Sequence, residues 1–391
     1  MSNLAATEQA PPASPRIDPG YRRVGVLTRL PDILAGLGAE PAAVFVAAGL
    51  SPADVARQEG SISYVAMGRL FRAAVAATGC QHIGILTGSE ANLQTLGLVG
   101  RYMAHSPSVG EAMRALVQNY ERFGRGSHVY LINHGDHVLW GYAVHQKDMP
   151  GVEHAHDFAI AAGFRFLKCL CGEGPAEVLL PRKRPSSALA YHEAFKAPVR
   201  FDSEHAALVI PARVLKLPVP GANPAKRADI EASVRAYWAA DGGSLSDRVM
   251  QTIRRAILAE SVPTSATVAE ALGLHPKALS RRLQREETSF RALLNEARFQ
   301  MARQLLECTR MSVTDLALAL GYADIAAFNH AFQRWTGASP GEWRKGAPAD
   351  VQASEEKRVV SNSIRRRPAA ARMIPASAAR PQRSARSSNS E

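Results

Sequence analysis

The sequence predicts two domains of different class: an α+β domain over residues 23–235 and an all-α domain over 245–345 that carries two helix-turn-helix units. Three observations predict this. A chain of 391 residues is longer than one ordinary hydrophobic core fills. Helical and strand patterns are interspersed up to about residue 235, and only helical patterns follow. The second region also repeats itself at an offset of 48 residues.

Residues 1–22, rich in Pro, Ala and Ser, read as a disordered N-terminus. They lack the basic start and apolar stretch of an export signal, and no run of apolar residues is long enough to span a membrane, so the expectation is a cytoplasmic protein. The scattered cysteines Cys80, Cys169, Cys171 and Cys308 form no metal-binding pair and fit reduced thiols. In the first domain, "PDILAGLGAEPAAVFVAAGL", "SYVAMGRLFRAAVAATG" and "SVGEAMRALVQNYERFG" have helical periodicity. "HVYLINHGDHVLWGYAVH" reads as a hairpin turning at His134-Gly135-Asp136, and "HAHDFAIAAGFRFLKCLCG" as a helix. "AEVLLPRK", "APVRFD" and "AALVIPARVL" read as strands. "NPAKRADIEASVRAYWAADGGSL" reads as a helix running into a hinge over 236–244, centred on Gly242-Gly243.

The repeat pairs "TSATVAEALGLHPKALSRRL" with "SVTDLALALGYADIAAFNHAF". Ala269 and Ala317 are small enough for close helix crossing. Gly273 and Gly321 end the first helix of each unit, where a positive φ is often needed. Leu279 with Leu283, and Phe328 with Phe332, hold each second helix to its core at i, i+4 spacing. Thr264 and Ser312 stand at N-cap positions, Ser312 with Asp315 as a capping box. Pro276 suits a first helical turn and Asp324 an N-cap. Phe290, Leu294, Ala297, Met301 and Leu305 form one apolar stripe on the helix between the units.

The opposite side of each second helix is polar. The first offers Lys277, Ser280, Arg281 and Gln284; the second offers Asn329, His330 and Gln333, with Ile325 and Ala326 beside them. Lys and Arg pair with guanine edges, Asn and Gln with adenine. Two such helices on one connector fit successive major grooves about 34 Å apart. Lys277, Ser280, Arg281, Asn329 and His330 are therefore the candidate base contacts; Arg282, Arg285 and Arg334 are the candidate phosphate contacts. A net charge of +12 agrees with an anionic partner, and the basic stretch over 346–391 reads as a solvated, disordered tail.

The segment "RFQMARQLLECTRMSVTDLALALGYADIAAFNHAFQRWTGASPGEWR" resembles the signature of the AraC/XylS family of bacterial transcriptional regulators. Arg298, Ala302, Leu305, Ala317, Gly321, Tyr322, Phe328, Phe332, Gly337, Pro340 and Arg344 carry the resemblance. Departures are Tyr322 for the commoner Phe, Ala326 for Ser, Gln333 for a basic residue and His275 for a Ser or Thr cap. The N-terminal region is similar to the arabinose-binding type of sensor domain, through "SISYVAMGRLFRAA", "LGLVGRYMAHSPSVGEAMRALVQNY" and "YHEAFKAPVRFDSEHAALVIPARVLKLPVPGANP". The resemblance implies an effector-responsive activator, not an enzyme, that binds promoter DNA. It also implies RNA polymerase as partner, a small-molecule effector of unassigned class and pocket, and a possible homodimer, with no cofactor.

Two alternatives have a basis in the residues. His134, Asp136, His137, His145, His154, His156 and Asp157 suggest a metal-dependent sensor, although their spacing matches no specific zinc pattern. Control by protein partners in place of a small molecule is the other. No GxSxG, HExxH or P-loop motif points to catalysis.

Overall fold

The N-terminal half builds a five-stranded sheet with helices on it, because one long apolar hairpin needs covering. The computed structural model describes residues 20–146, 148–239 and 244–346. In chain order, β1 (Tyr21–Arg23), α1 (Leu30–Gly36), α2 (Pro41–Ala47), β2 (Ser61–Ser63), α3 (Tyr64–Thr78), α4 (Ile83–Ser89), α5 (Gly97–Ala104) and α6 (Val109–Asn119) come first. Then follow β3 (Gly124–Arg125), β4 (Ser127–Asn133), β5 (His137–Val144), α7 (Val152–Cys171), β6 (Glu177–Leu179), α8 (Leu189–Phe195), β7 (Val199–Arg200), β8 (Ala206–Pro211), α9 (Ala212–Leu215) and α10 (Pro224–Ala239).

The sheet order is β4-β5-β8-β6-β7, antiparallel except for the parallel β6–β7 pair. The hairpin forms where its sequence pattern places it, with Tyr130 opposite Gly141 and Leu131 opposite Trp140. Residues on both faces of β5 are buried, because α7 covers one side and the helix Phe290–Cys308 of the C-terminal part reaches the strand as well. The segment 206–215 is only partly strand: β8 ends at Pro211, whose fixed φ and missing N–H close the ladder, and α9 follows. A second sheet, β2-β1-β3, has strands too short to show a period in sequence.

Helices α4 and α7 pack closely, and two glycines make it possible. A Cβ at Gly84 would lie 2.3 Å from the His154 carbonyl oxygen, and one at Gly88 would lie 2.3 Å from that of Phe158. Asp157 is buried at this contact, where it accepts from Arg182 and, at 2.9 Å, from the Tyr191 hydroxyl.

The C-terminal part is helical: α11 (Leu245–Leu258), α12 (Ser265–Ala271), α13 (Pro276–Arg285), α14 (Phe290–Cys308), α15 (Val313–Ala319), α16 (Ile325–Thr336) and α17 (Pro340–Arg344). Among the described residues no strand follows β8, and no single helix is long and apolar enough to cross a membrane. The stripe on α14 differs by one position at its start. Leu293, Ala297, Met301 and Leu305 are buried with Ala302 and Leu306, whereas Phe290 and Leu294 are only half-buried. The shift follows from α14 meeting α11 on one flank and α17 on another. The expected hinge centre, Gly242-Gly243, and the segments 1–19 and 347–391 lie outside the described residues.

Gly84→Ala is expected to lower unfolding free energy by about 1–3 kcal/mol, since the added methyl meets backbone that cannot rotate away. Urea unfolding measures it; an unchanged midpoint would show that α4 can retreat from α7 without loss.

Candidate nucleic-acid interface

Each helix-turn-helix unit is fixed by caps, a glycine and a buried apolar pair. Thr264 and Thr267 close a reciprocal capping box at α12. Gly273 and Gly321 both adopt φ near +70° (66° and 71°), the left-handed conformation that lets the chain leave α12 and α15. Pro276 opens α13, and His275 does cap it: its Nδ1 accepts from the Lys277 N–H at 3.3 Å. Asp324 caps α16 by accepting from the Ala327 N–H at 2.7 Å. Ala269, Leu279, Leu283, Ala317, Phe328, Phe332 and Pro340 are all buried.

The second unit is tied to α14 by one side chain. Arg298 donates from Nε to the Leu320 carbonyl at 3.1 Å and from Nη2 to the Gly321 carbonyl at 3.0 Å. Its guanidinium also lies 4.6 Å from the centre of the Tyr322 ring. The planar fork thus satisfies two carbonyls left over at the end of α15 and supports the turn. Phe332 packs against Phe299, Phe328, Trp335 and Trp343, which anchors α16 from within. In the first unit Glu286 has the matching task. Its carboxylate accepts from the Leu245 and Ser246 N–H groups, pinning the end of α13 to the positive start of α11.

The candidate contact residues fall on two open faces. Lys277, Ser280, Arg281, Arg282, Gln284 and Arg285 on α13 are exposed. On α16, Ile325, Ala326, His330, Gln333 and Arg334 are exposed, whereas Asn329 is half-buried. Asn329 follows Phe328 by one residue, about 100° around the helix, so it sits at the edge of the face and not at its centre. The centre belongs to Ala326, His330 and Gln333. The charge is unequal: α13 carries Lys277, Arg281, Arg282 and Arg285, and α16 carries only Arg334.

The N-terminal domain packs on other elements: α11, α14 and α15 meet its hairpin. Asp315, in the first turn of α15, donates its backbone N–H to Ser312 Oγ at 3.0 Å without completing a reciprocal box. Its carboxylate turns instead to the N-terminal domain, 2.9 Å from His205 Nε2 and 3.4 Å from His134 Nε2. The Tyr130 hydroxyl, 3.0 Å from His205 Nδ1, holds the other side of that buried ring. Arg310 donates to Asp202 at 2.9 Å, His128 Nε2 lies 3.1 Å from Gln304 Oε1, and Cys308 Sγ donates to the His145 carbonyl at 3.2 Å. Burial pushes His128 down to about 3 and the adjacent His145 well below the usual imidazole range. The hydrogen bond from His205 holds the Asp315 carboxyl below its ordinary value.

The residues suggested as a metal cluster do not form one. His154 and His156 lie in separate surroundings on α7, His154 by Phe71 and His156 by Tyr142, because successive even positions on a helix point apart. His145 meets His128 edge-on, and Asp136 hydrogen-bonds its neighbour His137 at the hairpin tip. Among the described residues, Glu204, His205 and Asp315 alone place three potential ligand atoms within 4.8 Å of one another, and His205 and Asp315 are already hydrogen-bonded to each other.

A cavity of about 790 Å³ lies within the N-terminal domain, between β1, β5, α5, α7 and α10. Its size suits a small organic molecule. Arg101, whose helix position is polar in an apolar surrounding, lines it; Tyr102 instead stacks under Arg227, 4.3 Å from the guanidinium carbon. The arginine at position 22 and the aromatic residues opposite it come together from distant parts of the chain, so no local sequence pattern marks them.

Residues 38–219 match the family described as the arabinose-binding domain of AraC transcription regulator, N-terminal, and residues 268–346 match a helix-turn-helix domain family. The chain is 26% identical over 320 residues to an ornithine utilization regulator from Pseudomonas aeruginosa, covering 80% of this chain and 93% of that protein. It is 24% identical over 328 residues to the HTH-type transcriptional regulator VirS from Mycobacterium tuberculosis, with the same two coverages, 80% and 93%. The crystal structure of the transcriptional regulator CdpR from Pseudomonas aeruginosa aligns with a TM-score of 0.38 at 24% identity, over 72% of this chain and 96% of that one.

Two outcomes follow for the interface. Arg298→Ala is expected to cost roughly 1.5–3 kcal/mol, the worth of charge-assisted hydrogen bonds, and Arg298→Lys should not restore it because an ammonium lacks the fork. Full rescue by Lys in chemical denaturation would refute the two-carbonyl clasp. Asp315→Ala leaves buried His205 without its acceptor, at about 1–3 kcal/mol. Hydrogen exchange should then quicken in α15 and residues 134–137 and stay unchanged in α13; protection kept throughout would show that Asp315 does not join the domains.

Proposed function

The chain belongs to the AraC/XylS family of DNA-binding transcriptional regulators, and from that premise we propose that it is an effector-responsive activator whose α13 and α16 enter successive major grooves of promoter DNA. The observation that carries this reading is the division of surfaces. Both second helices keep their polar faces open, while the N-terminal domain rests on α11, α14 and α15. In this reading Lys277, Ser280, Arg281, Asn329 and His330 meet base edges, with His330 more central than Asn329. Arg282, Arg285 and Arg334 meet phosphates. RNA polymerase is the downstream partner, and a homodimer is the assembled form.

The cavity in the N-terminal domain is the effector site of this reading. Ser233 and Ala236 of α10 form part of its wall, and α10 leads toward the DNA-binding domain. A ligand acts only if it favours one arrangement of that wall over another.

Binding of the full chain to promoter fragments at several salt concentrations tests the DNA contacts. Arg281→Ala should cost about 1–3 kcal/mol and relax one base position, whereas Arg282→Ala should weaken all sequences alike and reduce the salt slope by about one contact. His330→Ala should relax preference in one half of the footprint only. A uniform loss across sequences would place His330 on the phosphate backbone, and a single short footprint would overturn two-groove binding.

A further inference from the structure

The effector cavity contains a charge that lacks a counterion among the described residues. Arg22 projects from β1 to the cavity lining, its guanidinium carbon 4.7 Å from the centre of the Phe158 ring. Its Nε donates to the Arg23 carbonyl at 3.1 Å. Among the described residues no carboxylate pairs with it, and the groups that bear on it are the phenols of Tyr64, Tyr120 and Tyr142. These gather with Ser127, which lies 2.5 Å from the Tyr64 hydroxyl and donates to Tyr120 at 3.3 Å. Burial pushes Tyr64 and Tyr142 above the usual phenol range, so they keep their protons and serve as donors, not as counterions. Nearby, the buried Trp140 Nε1 has no acceptor among the described residues.

The remainder of the lining is largely aliphatic or aromatic, including Val26, Val99, Leu116, Val129, Phe166 and Leu208. Its charged members are Arg22, Arg23, Arg101 and Arg122 against a single carboxylate, Glu59. A guanidinium removed from water without an anion is costly, and a carboxylate that meets its planar fork recovers that cost in directional, charge-assisted bonds. We propose that this cavity binds an amphipathic organic anion, a carboxylate on an apolar body, with the carboxylate on Arg22 and the surrounding hydroxyls and the body along the apolar wall. The proposal rests on the reading of the cavity as the effector site.

The test is calorimetric titration of the full chain with decanoate, decanol and decylamine, each below its micellar concentration. Three variants accompany the wild type: Arg22→Met, Arg22→Lys and Ala159→Phe, the last adding bulk at a lining position of α7. Decanoate is expected to bind wild type at least tenfold more tightly than either control. Arg22→Met should lose that advantage while keeping decanol binding, which also reports that the variant is folded; Arg22→Lys should retain part of it. Ala159→Phe should weaken decanoate and decanol together. Equal affinities for decanoate and decanol, a preference for decylamine, or decanoate binding untouched by Arg22→Met would overturn the anion assignment and leave the cavity as effector site. Failure of all three compounds to bind the folded wild type would overturn the proposal together with the reading beneath it.

Discussion

The carboxylate of Asp315 is the point on which the relation of the two domains depends. Its position on α15 would ordinarily close a capping box, as Thr267 does with Thr264 on α12. The Ser312 hydroxyl alone caps the Asp315 N–H, which leaves the side chain free to cross to His205 and His134. The same helical position therefore stabilises its own helix in one unit and joins two domains in the other. The sign of its pH dependence follows from the lowered folded-state value. Its contribution is present above the ordinary carboxylate range and is lost as pH falls through the folded value.

The two helix-turn-helix units are consequently held by different neighbours. Glu286 fixes the end of the second helix of the first unit, α13, to the start of α11. Arg298 fixes the turn of the second to α14, and Asp315 then fixes α15 to the hairpin. All three contacts use backbone groups or rings on faces away from the polar sides of α13 and α16. Holding the domains together thus costs these polar faces none of their exposure.

Legibility in the sequence followed the range of the interaction. The paired apolar residues, capping residues and turn glycines of the repeat act within a few positions of one another, so their spacing revealed both units. The hairpin was equally plain, since period-2 alternation extends through β4 and β5. Strands β1, β2 and β3 have two or three residues each and carry no period. Counting outward positions placed Asn329 on the open side, but the neighbouring Phe328 draws that edge of α16 toward the core. The histidines clustered in sequence were separated by helix and strand geometry. The contact that sets a buried histidine against a carboxylate of the C-terminal domain joins residues 205 and 315, which no local pattern connects. Arg22 and the phenols around it were hidden for the same reason.

The unequal charge of α13 and α16 bears on how such a regulator would be controlled. Phosphate contacts supply affinity that is indifferent to sequence, and α13 carries two of the proposed phosphate-binding cations, Arg282 and Arg285, against Arg334 alone on α16. In the proposed mode of binding, the first unit grips the phosphate backbone more firmly, while the second adds discrimination with little affinity of its own. The second unit is also the one bonded to the N-terminal domain through Asp315. A small bias in that domain therefore falls on the weaker of the two grips, where a change of about 1–3 kcal/mol, the usual scale of coupling between sites, is a large share of the energy available. The stronger grip on the first unit would keep the protein near DNA in either state, so that a ligand need alter only how completely the site is read.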